Sequence, residues 1–122
     1  MIGAKKVLIV DDSIAMRMMI SDILKRNDFE IAGQAPDGIK ALEMYKQLRP
    51  DIVTMDIVMP NELGIESMKK ILQFDPKARI VVISGLHQKN LLMEALEVGA
   101  KDYIIKPFTE DELVASLRKA SV

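Results

Sequence analysis

Cysteine is absent from the 122 residues, which removes disulfides, thiolate nucleophiles and cysteine-type zinc sites together and suits a reducing compartment. An excess of positive charge is also missing. Seventeen basic residues stand against eighteen acidic ones, for a net charge of −1, so the electrostatic footprint of a nucleic-acid binder is not there and none is expected as a partner. No apolar run approaches the length needed to cross a bilayer, so no membrane partner is expected either. The opening MIGAKKVLIV meets Asp11 and Asp12 at once and is too short for a signal peptide, so the expected location is the cytoplasm. Linkers, low-complexity tracts and internal repeats are lacking as well, and residues 5–120 are expected to form one domain of ordinary size. Histidine occurs once, as His87, which reads as an exposed loop residue.

What is present has a rhythm. Five runs of strand length recur: KVLIV (6–10), EIAGQA (30–35), DIVTMD (51–56), RIVVIS (79–84) and DYIIK (102–106). Between them apolar residues fall at helical spacing: Met16, Met19, Ile20, Ile23 and Leu24; Ile39, Leu42 and Tyr45; Ile65, Met68, Ile71 and Leu72; Leu92, Ala95 and Leu96; then Leu113, Val114 and Leu117. Ser13 is placed to cap the first helix, and Thr109 with Glu112 makes a capping box for the last. Strand and helix alternate five times, which predicts a doubly wound α/β fold with a parallel sheet and helices on both faces. Runs one, three and four are continuously apolar, as strands covered on both faces must be. The nine methionines read as adaptable core filler.

Such a sheet binds ligands beyond the carboxyl ends of its strands, and the polar residues collect there. Asp11 and Asp12 follow strand one, Asp56 ends strand three, Ser84 ends strand four and Lys106 ends strand five. Asp56 sits between Ile52, Val53, Met55 and Ile57, Val58, Met59, where a charge costs free energy unless it is paired, hydrogen-bonded or metal-bound. Three carboxylates at one edge repel unless a cation intervenes. With no cysteine and one histidine, that cation is hard and oxygen-loving, Mg²⁺ or alternatively Mn²⁺. A carboxylate beside such a cation and a lysine is a plausible acceptor for a phosphoryl group, which casts Asp56 as a nucleophile.

VLIVDDS, DIVTMDIVMP followed by Gly64, VVISG and GAKDYIIKPF resemble the receiver domains of two-component response regulators, the stand-alone chemotaxis members most closely. The resemblance covers nearly the whole chain, in order and at family spacing. It implies a five-stranded flavodoxin-like sheet of order 2-1-3-4-5. It also implies that Asp56 accepts a phosphoryl group from a histidine kinase, and that Asp12, Asp56 and the backbone carbonyl of Val58 bind Mg²⁺, with Asp11 reaching it through water. Lys106 would pair with the phosphoryl oxygens and Ser84 would hydrogen-bond one of them. Tyr103 matches the switch aromatic, expected to turn inward as Ser84 moves. Gly85 matches the small residue that leaves room for the donor, and Pro107 a proline whose peptide bond is usually cis. Leu63 departs from the pattern, in which Asp or Asn precedes the glycine at 64, and this puts the turn and its kinase contacts in question.

Three other readings are weaker. A haloacid-dehalogenase-type phosphatase needs a second acid two residues after the nucleophile, where Val58 stands. A flavodoxin-like flavin carrier needs a hydroxyl- or glycine-rich loop after strand one, where DDSIAM would repel phosphate. A receiver from a non-chemotaxis pathway is the closest rival. The expectation is therefore a monomeric switch and not an enzyme, catalysing only its own phosphorylation and dephosphorylation. Its expected partners are a kinase, an output protein such as a flagellar motor switch component, and a phosphatase. Val58 and Leu86, which can neither hold nor orient a water, are expected to slow self-hydrolysis.

Overall fold

The computed structural model describes residues 3–59 and 62–122. Strands and helices alternate as β1 (Lys6–Val10), α1 (Ile14–Arg26), β2 (Glu30–Ala35), α2 (Gly38–Leu48), β3 (Ile52–Asp56), α3 (Gly64–Phe74), β4 (Ile80–Ser84), α4 (Lys89–Val98), β5 (Asp102–Ile105) and α5 (Glu110–Ala120). All strand pairs are parallel and the sheet order is β2-β1-β3-β4-β5, the doubly wound topology expected.

The core lies in two layers because successive side chains on a strand face opposite ways. Leu8, Val10, Val53, Met55 and Val82 meet Ala41 and Tyr45 of α2, Met68 and Ile71 of α3, and Leu92 and Ala95 of α4. On the other face Val7, Ile9, Ile52, Val81 and Ile83 meet Ile20 and Leu24 of α1 and Leu113 and Leu117 of α5. A fully buried aliphatic side chain stabilises by roughly 1.5–3 kcal/mol, so these layers hold the sheet edge rigid. The strands β3 and β4 are buried throughout, whereas β2 and β5, at the sheet edges, are mixed.

The helix ends follow the sequence closely. The Ser13 hydroxyl accepts the Met16 amide at 3.2 Å. Thr109 and Glu112 form the reciprocal capping box. Five apolar positions expected in the core are exposed instead: Met19, Ile39 and Leu96 of the helical stripes, and Met18 and Met93 among the methionines read as core filler. At about 100° per residue, Ile39 lies on the opposite side of α2 from the buried Ala41, and Met19 and Leu96 lie at the margins of stripes too narrow to cover them.

Gly64 has a specific reason to be glycine. A Cβ there would stand 2.2 Å from the Asp56 carbonyl oxygen and 2.8 Å from the Ile57 Cα. The first turn of α3 therefore rests directly on the backbone of the residue that carries the central carboxylate. The Gly64 amide donates to the Ile57 carbonyl at 2.5 Å. Leu63, whose identity put this turn in question, occupies the N-cap of α3 with extended backbone and supplies no side-chain cap.

Candidate functional site

The topology brings the ends of β1, β3, β4 and β5 to one edge, and with them the five polar residues singled out in the sequence: Asp11, Asp12, Asp56, Ser84 and Lys106. Asp11 and Asp56 are buried, at 1% and 7% exposure, while Asp12 is exposed. Carboxylate oxygens of Asp11, Asp12 and Asp56 lie within 4.8 Å of one another. Lys106 reaches in from the end of β5, its Nζ donating to Asp11 Oδ2 at 3.1 Å and to Asp56 Oδ2 at 3.5 Å. The Val58 amide donates to Asp56 Oδ1 at 3.3 Å. Asp56 in its apolar run is thus paired and hydrogen-bonded, though one ammonium serves two buried acids.

The electrostatics follow from that shortage. Burial pushes the Asp56 carboxyl up to about 6; Lys106 pulls the other way, and the neighbouring Asp11 adds to the rise. For Lys106, burial favours the neutral amine, but the carboxylates of Asp56 and Asp11 outweigh it and hold the ammonium above its ordinary range. Three acids facing one fixed cation leave excess negative charge in a cleft built only of oxygen donors. Such a donor set fits a hard divalent cation such as Mg²⁺.

Ser84 stands at the end of β4, 1% exposed, and its Oγ has no hydrogen-bond partner among the described residues. A buried hydroxyl left unpaired costs about 1–3 kcal/mol, a cost that a ligand oxygen arriving at this edge would offset. Its carbonyl accepts the Lys106 amide at 2.7 Å, which ties the two residues together through the backbone. After Ser84, a Cβ placed on Gly85 would make ordinary contact with the Gln88 side chain at 3.7 Å, and the Gly85 amide donates to Gln88 Oε1 at 2.7 Å. The Lys106–Pro107 peptide bond is cis, as expected.

Tyr103 lies apart from the acids. It is 44% exposed and lines a groove of about 290 Å³ with Ser84, Leu86, Lys89, Leu92 and Ile105. Val58 and Leu86 are both exposed, and so is His87. Two residues near the cleft had no signal in the sequence. Arg17 donates from Nη1 to the Asp11 carbonyl at 2.6 Å and from Nε to Gln34 Oε1 at 3.3 Å. Both contacts link residues with no periodic or motif relation to each other.

The profile of the response regulator receiver domain matches residues 7–118. The chain is a receiver domain. Chemotaxis protein CheY of Thermotoga maritima is 50% identical over 96% of this chain and 98% of that protein. Among solved structures, the response regulator domain of Thermotoga maritima CheB is 38% identical with a TM-score of 0.88, covering 97% of this chain and 96% of that one. A chain of the CheX–CheY–BeF₃–Mg²⁺ complex from Borrelia burgdorferi is 36% identical with a TM-score of 0.91, covering 97% and 90%. The receiver is thus CheY-like in sequence and in fold.

Proposed function

We propose that this receiver accepts a phosphoryl group on Asp56 from a histidine kinase, in a Mg²⁺-dependent reaction, and so switches its binding of an output protein in chemotaxis. The observation that carries the reading is the Asp56 carboxylate, buried at the switch-point edge between two further acids and Lys106. The likeness to chemotaxis protein CheY of Thermotoga maritima supports the pathway, and the output proposed for it is a flagellar motor switch component. The Borrelia complex, which holds BeF₃ and Mg²⁺, supports the chemistry.

An Asp56 oxygen attacks the phosphorus of the phosphohistidine donor. The P–N bond breaks, its electron pair stays on the imidazole nitrogen, and that nitrogen takes a proton. Lys106 releases its hold on Asp56 and offers its ammonium to the transferred oxygens, a fixed charge where negative charge gathers. Ser84, with its hydroxyl unpaired, donates to one of them. Asp12, Asp56 and the Val58 carbonyl would hold Mg²⁺, or Mn²⁺, with Asp11 acting through water. That cation would neutralise charge on the acids and on the phosphoryl oxygens. The domain turns over no other substrate: its reactions are its own phosphorylation and dephosphorylation. Among the described residues no helix is long and apolar enough to cross a membrane, in keeping with a cytoplasmic switch.

Chelation tests the reading. Acetyl phosphate with Mg²⁺ is expected to phosphorylate the protein, and excess chelator to stop it. Undiminished phosphorylation after chelation would remove the metal from the account. Lys106→Ala is expected to phosphorylate about a hundredfold more slowly, the scale of losing one preorganised donor.

A further inference from the structure

We propose that Arg17 is a positioning residue for the divalent cation, acting through the backbone carbonyl that precedes Asp12. The inference rests on the proposed Mg²⁺ site and concerns how an exposed ligand is kept in place. Asp12 is exposed, and its carboxylate makes no hydrogen bond or ion pair among the described residues. Among the described residues no hydrogen bond or ion pair to its side chain aims it at the cleft.

The backbone does. The peptide before Asp12 ends in the Asp11 carbonyl, which accepts from Arg17 Nη1 at 2.6 Å. The peptide after it presents the Ser13 amide, which donates to Asp11 Oδ1 at 2.9 Å. Both peptide planes flanking Asp12 are therefore clamped. Asp11 is itself fixed by its amide on the Ala35 carbonyl at 3.1 Å and by Lys106 on Oδ2 at 3.1 Å. Arg17 lies in the first turn of α1, held there by its amide on the Ser13 carbonyl at 3.0 Å. Gln34 of β2 braces its guanidinium through Nε. Lysine cannot reproduce this grip, because its donors sit on one nitrogen, whereas the rigid guanidinium holds Nη1 and Nε apart and aims each at its own acceptor, the Asp11 carbonyl and Gln34 Oε1.

The sign of the effect separates positioning from charge. A guanidinium seated on the Asp11 carbonyl adds positive charge beside the cleft and repels an incoming cation, and it makes no ion pair among the described residues. If charge were all that mattered, Arg17→Ala would tighten Mg²⁺ binding and Arg17→Lys would leave it unchanged. Positioning predicts that both weaken it, by about tenfold, the low end of the loss seen when a group orienting a metal ligand is removed.

The experiment is a Mg²⁺ titration of the unphosphorylated full chain, with no phosphodonor, followed by the amide shifts of Asp12 and Ser13. Wild type, Arg17→Lys, Arg17→Ala and Gln34→Ala are compared, and thermal melting identifies the folded variants. Weaker binding in folded Arg17→Lys, with a smaller loss in Gln34→Ala, is the expected result. Unchanged or tighter binding in folded Arg17→Lys overturns the inference, and if Arg17→Lys does not fold, an unchanged Gln34→Ala does the same. Failure of the wild type to bind Mg²⁺ would instead overturn the proposed metal site.

Discussion

Asp56 is held ready at a cost. Its carboxyl is raised to about 6, first by burial and then by Asp11, against the pull of Lys106. The folded protein therefore binds a proton there more tightly than the unfolded chain, so metal-free stability is lost as pH rises from the usual carboxylate range through about 6. Asp56→Asn, which cannot ionise, is expected to be more stable than wild type at pH 7, by an amount on the order of 1–3 kcal/mol, with the gap closing toward pH 4. Denaturation of both proteins across that range, in chelator, provides the check; a gap independent of pH would contradict it. Val58 and Leu86 act later, on the proposed phosphorylated state. Both are exposed and neither can orient a water, so Val58→Asn with Leu86→Glu is expected to shorten the life of the phosphorylated protein. Decay in Mg²⁺ that is unchanged or slower in the double variant would contradict this.

At the scale of elements, the contact between α3 and β3 is the tightest constraint on the site. Gly64→Ala would drive a methyl into the Asp56 carbonyl oxygen, and neither backbone can yield without moving the carboxylate. The variant is expected to lose about 2 kcal/mol or more and to phosphorylate slowly even where it folds, measured by denaturation and by acetyl phosphate uptake. The same scale shows what the sequence makes legible. The strands β1, β3 and β4 are readable as unbroken apolar runs because both faces are covered, and Ser13, Thr109 and Glu112 mark helix starts because capping is local chemistry. The acids, Ser84 and Lys106 are readable because strand ends in a parallel sheet share one edge. Met19, Ile39 and Leu96 mislead because periodicity places a stripe without giving its width. Arg17 with Gln34, and the approach of Gly64 to Asp56, leave no trace because each depends on the distance between elements that only the fold sets.

Across the whole molecule, the proposed phosphoryl group is expected to be read out as a shift between two populations of one fold. Ser84 is buried with its hydroxyl unpaired, and Tyr103 borders the same groove while still exposed. Movement of Ser84 toward a phosphoryl oxygen would open space for the tyrosine ring to turn in, altering the surface formed by α4, β5 and α5. Beryllofluoride with Mg²⁺ is expected to shift amides around Ser84, Lys101 and Tyr103; shifts confined to the acid cleft would contradict this coupling. All of it depends on Asp56 as acceptor, and intact mass tests that most directly. With acetyl phosphate and Mg²⁺, wild type is expected to gain one phosphoryl group and Asp56→Asn none. A folded Asp56→Asn that still gains the group would place the acceptor elsewhere and contradict the account.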